Sequence, residues 1–321
     1  MTHSGSLSRR QMFGVATGAA LGLQHALPTM AQAATLVSQL PIPSRLQWEE
    51  LDGYCGECSI QQAALYFGTY VSQYACRGII NTNQLSQLLV AVNAQKVLTA
   101  LRLTSTEFDY NRTASPQFLP WFGWVKQHLY LKHPVMIVAY VRGLSDPDYD
   151  HIMLATGFTS TDSTTYHATD LLCFNDCFDP LVKTRVASTL NDNRKMRVNG
   201  AKYPFCIPTT TCYGCAITGI QDTSLAALPV QVILNTWSEP DIIAGAKPVT
   251  LNATVSISGL TIGKSYSLYR YNDYRTVPTA KYAKSAYSSV VQFVANSTAA
   301  TYPVLIPSNS LAVFRCLPAG K

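Results

Sequence analysis

A cysteine at the start of a predicted helix is the residue best placed for nucleophilic chemistry. Cys55 stands in the segment 53–59, GYCGECS, just before apolar residues of helical spacing. A thiol at that position faces unpaired backbone N–H groups and the positive end of the helix dipole, which together favour the thiolate. The thiolate is the attacking form and needs less activation than a serine hydroxyl. The segment therefore predicts a thiol nucleophile at the tip of a helix.

Two further positions have residue types that activate a thiol. Of the six histidines, only His151 opens a buried apolar strand directly after a turn, which suits a general base. Asn175 and Asp176 end the next predicted strand, and either can accept a hydrogen bond from the imidazole and fix its tautomer. The order Cys, His, Asn/Asp predicts a thiolate–imidazolium pair held by a third polar group.

The elements that must position these groups are helices first and strands later. Apolar residues at helical spacing predict helices over 59–68, 81–103 and 115–131. Short apolar runs bounded by turn residues predict buried strands over 134–141, 152–158 and 171–174. Residues 179–225 are predicted to be rich in loops. Helices followed by strands favour an α+β fold over alternating βαβ units.

A second, all-β part is predicted beyond about residue 226, where the helical pattern stops. Apolar and polar residues alternate over 251–258, as in a strand with one solvated face. The turn at 258–266 and the Tyr-rich strand after it are similar to the late half of fibronectin type III domains. The spacing predicts a small β-sandwich, with further strands near 231–237, 290–295, 302–306 and 311–316.

The N-terminus has the pattern of an export signal. Arg9 and Arg10 precede a weakly apolar stretch, and Ala31-Gln32-Ala33 has the form of a signal-peptidase site. The Ser-Arg-Arg-x-x-Phe pattern resembles a twin-arginine signal; an ordinary secretory signal is the alternative. We therefore expect an exported protein, secreted or periplasmic, with a signal peptide over 1–33. The expected domains are 34–225, which carries the candidate chemistry, and 228–321, the sandwich.

Composition narrows the function classes. Only 13% of the 321 residues are charged and 47% are hydrophobic, which excludes a charge-rich disordered chain. The formal charge of +6 is spread without a basic cluster, so no nucleic-acid partner is expected. No long apolar run follows the signal segment, so no integral membrane span is expected in the mature chain. Nine cysteines favour an oxidising compartment.

The motif around Cys55 resembles a known peptidase family. The segment 55–68, CGECSIQQAALYFG, is similar to the nucleophile motif CGPxSLxMxLxYxG of C39-like (bacteriocin-processing-type) papain-like cysteine peptidases. His133-Pro134-Val135 followed by His151 resembles the family's HPV…H strand pair. The FND at 174–176 resembles its x-N-D-P strand end. The resemblance covers about residues 45–180.

The resemblance implies a fold, an activity and roles. It implies a papain-like domain of helices and antiparallel sheet that cleaves a peptide or amide bond of a peptide or protein substrate, without a cofactor or metal. Cys55 would be the nucleophile, His151 the proton shuttle and Asp176 (or Asn175) its orienting partner. Gln47, eight residues before Cys55, would complete an oxyanion hole with a backbone N–H. Within this chemistry an acyl transferase is an alternative.

Several features leave alternatives open. Glu57 and Cys177 replace prolines of the family pattern, and a carboxylate beside the thiol would oppose thiolate formation unless it points away. Cys58 is a rival nucleophile, because CGEC also resembles the papain signature in which the second cysteine attacks. A Cys55–Cys58 bridge would be an inhibited state.

The remaining cysteines and the C-terminal part add further alternatives. One nucleophile leaves eight of nine cysteines, enough for four disulfides; a zinc site of Cys173, Cys177, Cys212 and Cys215 is the alternative. A different class of function is a catalytically silent papain-like scaffold that binds a surface, protein or glycan partner through the C-terminal domain.

Overall fold

Helices and mostly antiparallel strands build the protein, in agreement with the mixed class expected from the sequence. The computed structural model describes residues 35–48, 53–80, 87–141, 150–191, 205–238 and 247–320. The predicted signal segment 1–33 lies outside these ranges. Among the described residues, none of the helices combines the length and apolar character needed to cross a bilayer.

Helices are fewer and shorter than strands. The helices are α1 (Cys55–Tyr66), α2 (Gln73–Ile80), α3 (Ala94–Ala100) and α4 (Phe118–Tyr130). The strands are β1 (Leu36–Gln39), β2 (Thr69–Val71), β3 (Leu103–Glu107), β4 (Val135–Val141), β5 (Asp150–Ser160), β6 (Leu171–Asn175), β7 (Val182–Val186), β8 (Phe205–Cys206), β9 (Gly214–Ile220), β10 (Val230–Leu234), β11 (Thr250–Ser258), β12 (Ser265–Tyr271), β13 (Ser289–Val294), β14 (Ala299–Pro307) and β15 (Leu311–Pro318). Single 3-10 turns lie at Ala187–Thr189, Tyr274–Thr276 and Tyr282–Lys284.

One large antiparallel sheet carries the candidate chemistry. Its strand order is β3-β9-β4-β5-β6-β7, with β1 paired to β5 and β8 paired to β4. Helices α1 and α4 both pack on β5. The core between them is built from apolar side chains such as Ile60, Trp121, Phe122, Met153 and Phe158. Strand β5 is thus fixed on its edges by hydrogen bonds and on its faces by helices, which makes it a rigid platform for His151.

Two smaller sheets face each other across a second core. Their orders are β10-β11-β14 and β13-β12-β15-β2, and every pairing in them is antiparallel. The core between them includes Val255, Ile257, Leu268 and Phe314. The C-terminal part of the chain is therefore rich in antiparallel strands, as the alternating pattern predicts.

The second core is not made of C-terminal residues alone. Strand β2 follows directly after α1, and it pairs with β15 so that Val71 lies opposite Leu311. Leu65 at the end of α1 and Tyr70 in β2 belong to this second core. The helix that begins at Cys55 is therefore anchored at its far end by the C-terminal part of the chain, across the division expected near residue 226.

Two predictions of local structure were wrong, and the first is the helix expected over 81–103. Among the described residues of that stretch, only α3 is an α-helix; residues 81–86 lie outside the described ranges. The Asn93 side chain accepts from the Leu89 amide at 2.7 Å and donates to the Gln87 carbonyl at 2.9 Å, and Ala91 has a φ of 65°. This turn occupies backbone groups that a helix needs, so the apolar residues before it do not extend one.

The stretch expected to be loop-rich, 179–225, contains three strands. Strand β9 lies inside the large sheet between β3 and β4, and β7 forms the edge beyond β6. The sequence of β9, GCAITGI, contains two glycines, which weaken a strand in spite of its three β-branched residues. Pairing with β3 on one side and β4 on the other stabilises the strand.

Candidate active site

Cys55, His151 and Asp176 meet at the tip of α1. The Nε2 atom of His151 lies 3.2 Å from Oδ1 of Asp176. The Cys55 thiol lies close enough to the imidazole to contribute to the raised pKa of His151. Cys55 is the first residue of α1, the end of the helix at which backbone N–H groups lack partners within the helix. The structure thus brings together a thiol, an imidazole and a carboxylate that are separated by as much as 121 residues in the chain.

The first turn of α1 holds the backbone beside His151. The Ile152 amide donates to Sγ of Cys55 at 3.4 Å, and Oγ of Ser59 donates to the Ile152 carbonyl at 3.4 Å. Residues four apart lie on one face of a helix, so Cys55 and Ser59 reach the same strand residue. The two contacts fix the distance between α1 and β5 at the place where the thiol and the imidazole meet.

A buried and stacked environment holds the imidazole of His151. The ring is 0% exposed. It stacks on Phe178, with ring centroids 4.3 Å apart and an interplanar angle of 6°, and Phe205 stacks at 5.5 Å. Burial by itself lowers the pKa of His151, but the hydrogen bonds and charges of Asp176 and Cys55 outweigh it. The pKa of His151 is therefore raised above its usual value of 6.5, and the imidazolium is favoured.

Asn175 and Asp176 are the two candidates for the residue that orients His151, and their side chains point in different directions. Asn175, the last residue of β6, donates through Nδ2 to the Ile42 carbonyl at 3.0 Å and to Oε1 of Gln62 at 2.7 Å. Asp176 follows it and turns its carboxylate to His151. It also accepts from the Phe178 amide at 3.0 Å. Asn175 thus ties β6 to the N-terminal segment and to α1, while Asp176 contacts the imidazole.

Gly56 allows another segment to pack tightly against the start of α1. A Cβ atom at this position would lie 2.6 Å from the Leu88 carbonyl oxygen and 2.7 Å from Cδ2 of the same leucine. The clash would be with backbone, which cannot move aside cheaply. Close packing therefore accounts for the glycine next to Cys55, and any side chain there would displace the start of the helix.

Glu57 points away from the thiol and is neutralised by a buried cation. Its Oε1 accepts from Nε of Arg77 at 2.7 Å and from the Leu88 amide at 3.2 Å. Burial raises the pKa of Glu57, against the hydrogen bond and charge of Arg77, which lower it. Arg77 also donates to the Gly53 carbonyl at 2.7 Å and lies 3.5 Å from the centre of the Tyr54 ring. The carboxylate that seemed unfavourable from the sequence instead braces the loop before Cys55.

Replacing Arg77 with alanine is expected to lower the free energy of unfolding by about 3–5 kcal/mol, because Glu57 is left buried without its cation. Urea denaturation measures the change. Arg112→Ala is the matched control, since Arg112 pairs with Asp109 on the surface, where the two side chains are 89% and 48% exposed. That variant should change stability by less than about 1 kcal/mol. Equal losses in the two variants would contradict the bracing role of the buried pair.

Gln47 lies in the site, but its described hydrogen bonds go to Cys177. The Gln47 amide donates to the Cys177 carbonyl at 2.9 Å, and the Cys177 thiol donates to Oε1 of Gln47 at 3.2 Å. The Gln73 side chain braces the residues on either side, donating to the Leu46 carbonyl and accepting from the Trp48 amide, each at 2.9 Å. The segment around Gln47 is therefore firmly placed, and its role as an oxyanion donor remains a prediction.

Cys58 lies one helical turn from Cys55 and has different partners. Its thiol donates to the Arg45 carbonyl at 3.4 Å and accepts from Nε2 of Gln62 at 3.5 Å, and it contributes to the raised pKa of Cys177. Of the two thiols of the CGEC segment, Cys55 is the one that contributes to the raised pKa of His151. The geometry therefore favours Cys55 over Cys58 as the sulfur that the imidazole activates.

The cysteines form neither the disulfides nor the four-cysteine zinc site that the sequence suggested. All nine cysteines lie within the described ranges and are free thiols, so none of the expected pairs is formed. The sulfurs of the alternative zinc site also lie apart: Cys173 contacts Thr184, Cys212 donates to the Pro208 carbonyl at 2.9 Å, and Cys215 sits on β9. Burial raises the pKa of Cys212 and of Cys215 to about 12, which keeps both thiols neutral.

Sequence reasoning missed three residues that contact His151. Phe178 and Phe205 stack on the imidazole, and Sγ of Cys177 lies 3.8 Å from Nε2. Cys177 and Phe178 lie within two residues of Asp176, a proximity in the chain that could have indicated them; Phe205 had no such signal.

No protein-family model matches the sequence, and no curated protein matches it.

Proposed function

We propose that this protein is an exported, thiol-dependent hydrolase that cleaves a peptide or amide bond through an acyl-enzyme. The proposal includes a papain-like, C39-like arrangement of the N-terminal part and a fibronectin III-like arrangement of the sandwich. It also includes removal of residues 1–33 on export. Cys55 is the nucleophile, His151 the proton shuttle and Asp176 the residue that orients the imidazole.

One observation carries the proposal. A thiol at the N-terminus of a helix lies beside an imidazole whose pKa it helps to raise, and Nε2 of that imidazole lies 3.2 Å from a buried carboxylate. A nucleophile, a base and an orienting group brought together in this way form the arrangement that nucleophilic catalysis requires. The raised pKa of His151 supports the same proposal, because it favours an imidazolium beside the sulfur.

The chemistry follows from these groups in two stages. The Cys55 thiol gives its proton to His151, and the sulfur bonds to the substrate carbonyl carbon to form a tetrahedral oxyanion. His151 then returns the proton to the leaving amine as the C–N bond breaks, which leaves a thioester on Cys55. A water molecule, deprotonated by His151, attacks the thioester and releases the acid and the free thiol. An amine in place of water would make the same intermediate a transferase.

Backbone and side-chain donors near the nucleophile suit the oxyanion. The Cys55 amide is at the first position of α1 and has no acceptor within the helix. Gln47 lies in the segment before the helix, and its side chain contacts Cys177. These are the donors that we assign to the developing charge.

Gln47→Ala is expected to lower kcat about 100- to 1,000-fold while leaving KM nearly unchanged, because an oxyanion donor acts mainly in the transition state. Steady-state kinetics on a cleaved peptide measure both constants. Gln127→Ala, on the exposed face of α4, is the control and should leave both unchanged. A fall of less than threefold in kcat would show that Gln47 is not an oxyanion donor.

A thiol-reactive peptidyl epoxide tests the proposed function. The mature protein should be labelled rapidly at one cysteine, identified as Cys55 by peptide mapping. Cys55→Ala should lose the fast labelling, and Cys58→Ala should keep it. Fast labelling that survives in Cys55→Ala would show that another residue is the nucleophile. Absence of fast labelling in the fully reduced wild type would favour the silent scaffold, which acts by binding through the sandwich.

A further inference from the structure

We propose that Nε2 of His151, Oδ1 of Asp176 and Sγ of Cys177 form a binding site for one zinc ion, which switches the hydrolase off. Zinc binding stands on the geometry of these three residues, whereas its inhibitory effect rests on the proposed function. Cys177 follows Asp176 at the end of β6, so one short segment supplies two of the three ligands.

The spacing of the three atoms matches a zinc centre. They all lie within 4.8 Å of one another, and within the described residues this is the group of acid, histidine and cysteine side chains spaced to hold a metal. Tetrahedral zinc with ordinary bond lengths separates a nitrogen ligand from an oxygen by about 3.3 Å and from a sulfur by about 3.6 Å. The structure has 3.2 Å from Nε2 to Oδ1 and 3.8 Å from Nε2 to Sγ. A cation fits between them with only small side-chain shifts.

Charge and burial also suit a divalent cation of this class. The three side chains are at most 5% exposed, so an ion here is largely removed from water. One thiolate, one carboxylate and a neutral imidazole together offset the two positive charges, which limits the desolvation penalty. Nitrogen and sulfur ligands select zinc over magnesium or calcium.

Zinc at this site would remove the base. The ion takes the Nε2 lone pair of His151 in place of the Asp176 contact. A neutral imidazole bound in this way has its single proton on Nδ1 and has no lone pair left to accept the Cys55 proton. The thiol then lacks both its general base and its imidazolium partner. Binding releases the proton of Cys177 and any proton held by the imidazolium, so no redox reagent is needed.

Zinc binding is best measured in a chain that cannot turn over. The full-length Cys55→Ala protein is stripped with a chelator under reducing conditions and titrated with zinc chloride against a chromophoric chelator. We expect one zinc ion per chain, and affinity about 100-fold or more weaker when Cys177→Ala is added. Cobalt(II) should give a thiolate charge-transfer band that the second variant lacks. Cys212→Ala on the same background is the matched control, since it removes another buried thiol, and should change neither.

Two results would overturn the zinc site. One is no zinc binding in the Cys55→Ala chain; the other is binding that Cys177→Ala leaves intact while circular dichroism shows both chains folded. If Cys177→Ala fails to fold, Cys177→Ser replaces it, because a serine hydroxyl keeps the contact with Gln47 but binds zinc far more weakly.

A parallel experiment separates this proposal from the proposed function. In the wild type, zinc should slow epoxide labelling of Cys55, excess chelator should restore it, and Cys177→Ser should need far more zinc for the same inhibition. Zinc binding in Cys55→Ala without any fast labelling of metal-free wild type would sustain the site and overturn the hydrolase. Fast labelling that zinc leaves unchanged would overturn the inhibition. Turnover that requires zinc would overturn the thiol mechanism.

Discussion

Replacing Cys55 with alanine is expected to abolish turnover, with a loss of at least about 10,000-fold in kcat. The sulfur that bonds to the substrate is gone, and the described hydrogen bonds of Ser59 and Cys58 go to Ile152, Arg45 and Gln62 instead. Measurement uses a library of internally quenched peptides incubated with the mature, reduced protein, followed by kinetics on a peptide that the wild type cleaves. The fold should persist, because alanine keeps the helical backbone of the first turn.

Cys58→Ala is the matched control for that loss. It removes a buried thiol from the same turn of α1, together with hydrogen bonds to the Arg45 carbonyl and to Gln62. Stability should fall by about 1–2 kcal/mol, but kcat should stay within about tenfold of the wild type. Loss of turnover in Cys58→Ala with activity retained in Cys55→Ala would support Cys58 as the nucleophile, as in the papain signature.

Replacing Asp176 with asparagine is expected to lower kcat about 100- to 10,000-fold and to shift the alkaline limb of the pH–rate profile to lower pH. The carboxylate raises the pKa of His151, so the imidazolium of the wild type persists to a pH above 6.5. Without that charge, burial lowers the pKa, and the proton is lost sooner as pH rises. The profile of kcat/KM against pH measures the shift.

Asn175→Ala is the control for Asp176. Asn175 is equally buried, but its hydrogen bonds go to Ile42 and Gln62, so the variant should be less stable by about 1–3 kcal/mol. Its alkaline limb should remain where the wild type has it. A shift of the limb in Asn175→Ala, with none in Asp176→Asn, would reverse the two roles.

Local patterns were sufficient to predict the elements that hold the candidate site. The apolar runs before and after His151 are strands β4, β5 and β6, and the helical spacing after Cys55 is α1. These segments combine strong periodicity with clear turn residues at their ends, so tertiary contacts reinforce the intrinsic preferences. The helix begins at Cys55, four residues before the sequence prediction of Ser59, because the CGEC segment lacks the apolar spacing on which that prediction was based.

Other features depend on contacts between distant residues and carry no local signal. Asn175 and Asp176 are neighbours with similar side chains, and only the position of His151 across the sheet distinguishes them. Cys177 was counted among eight disulfide candidates, since nothing in its neighbours indicates a contact with Gln47 and His151. Strand β2 was not predicted from the sequence, yet it pairs with β15 about 240 residues later. Such pairings are set by sheet topology rather than by propensity.

The proton affinity of His151 tests the central claim most directly. NMR titration of isotope-labelled histidines, with the His151 signal assigned by its absence in His151→Gln, gives the pKa in the reduced, metal-free protein. We predict a value above 6.5 in the wild type that falls in Cys55→Ala, because the thiol contributes to the rise. A value at or below 6.5 in the wild type, unchanged by the loss of Cys55, would contradict the paired thiol and imidazole.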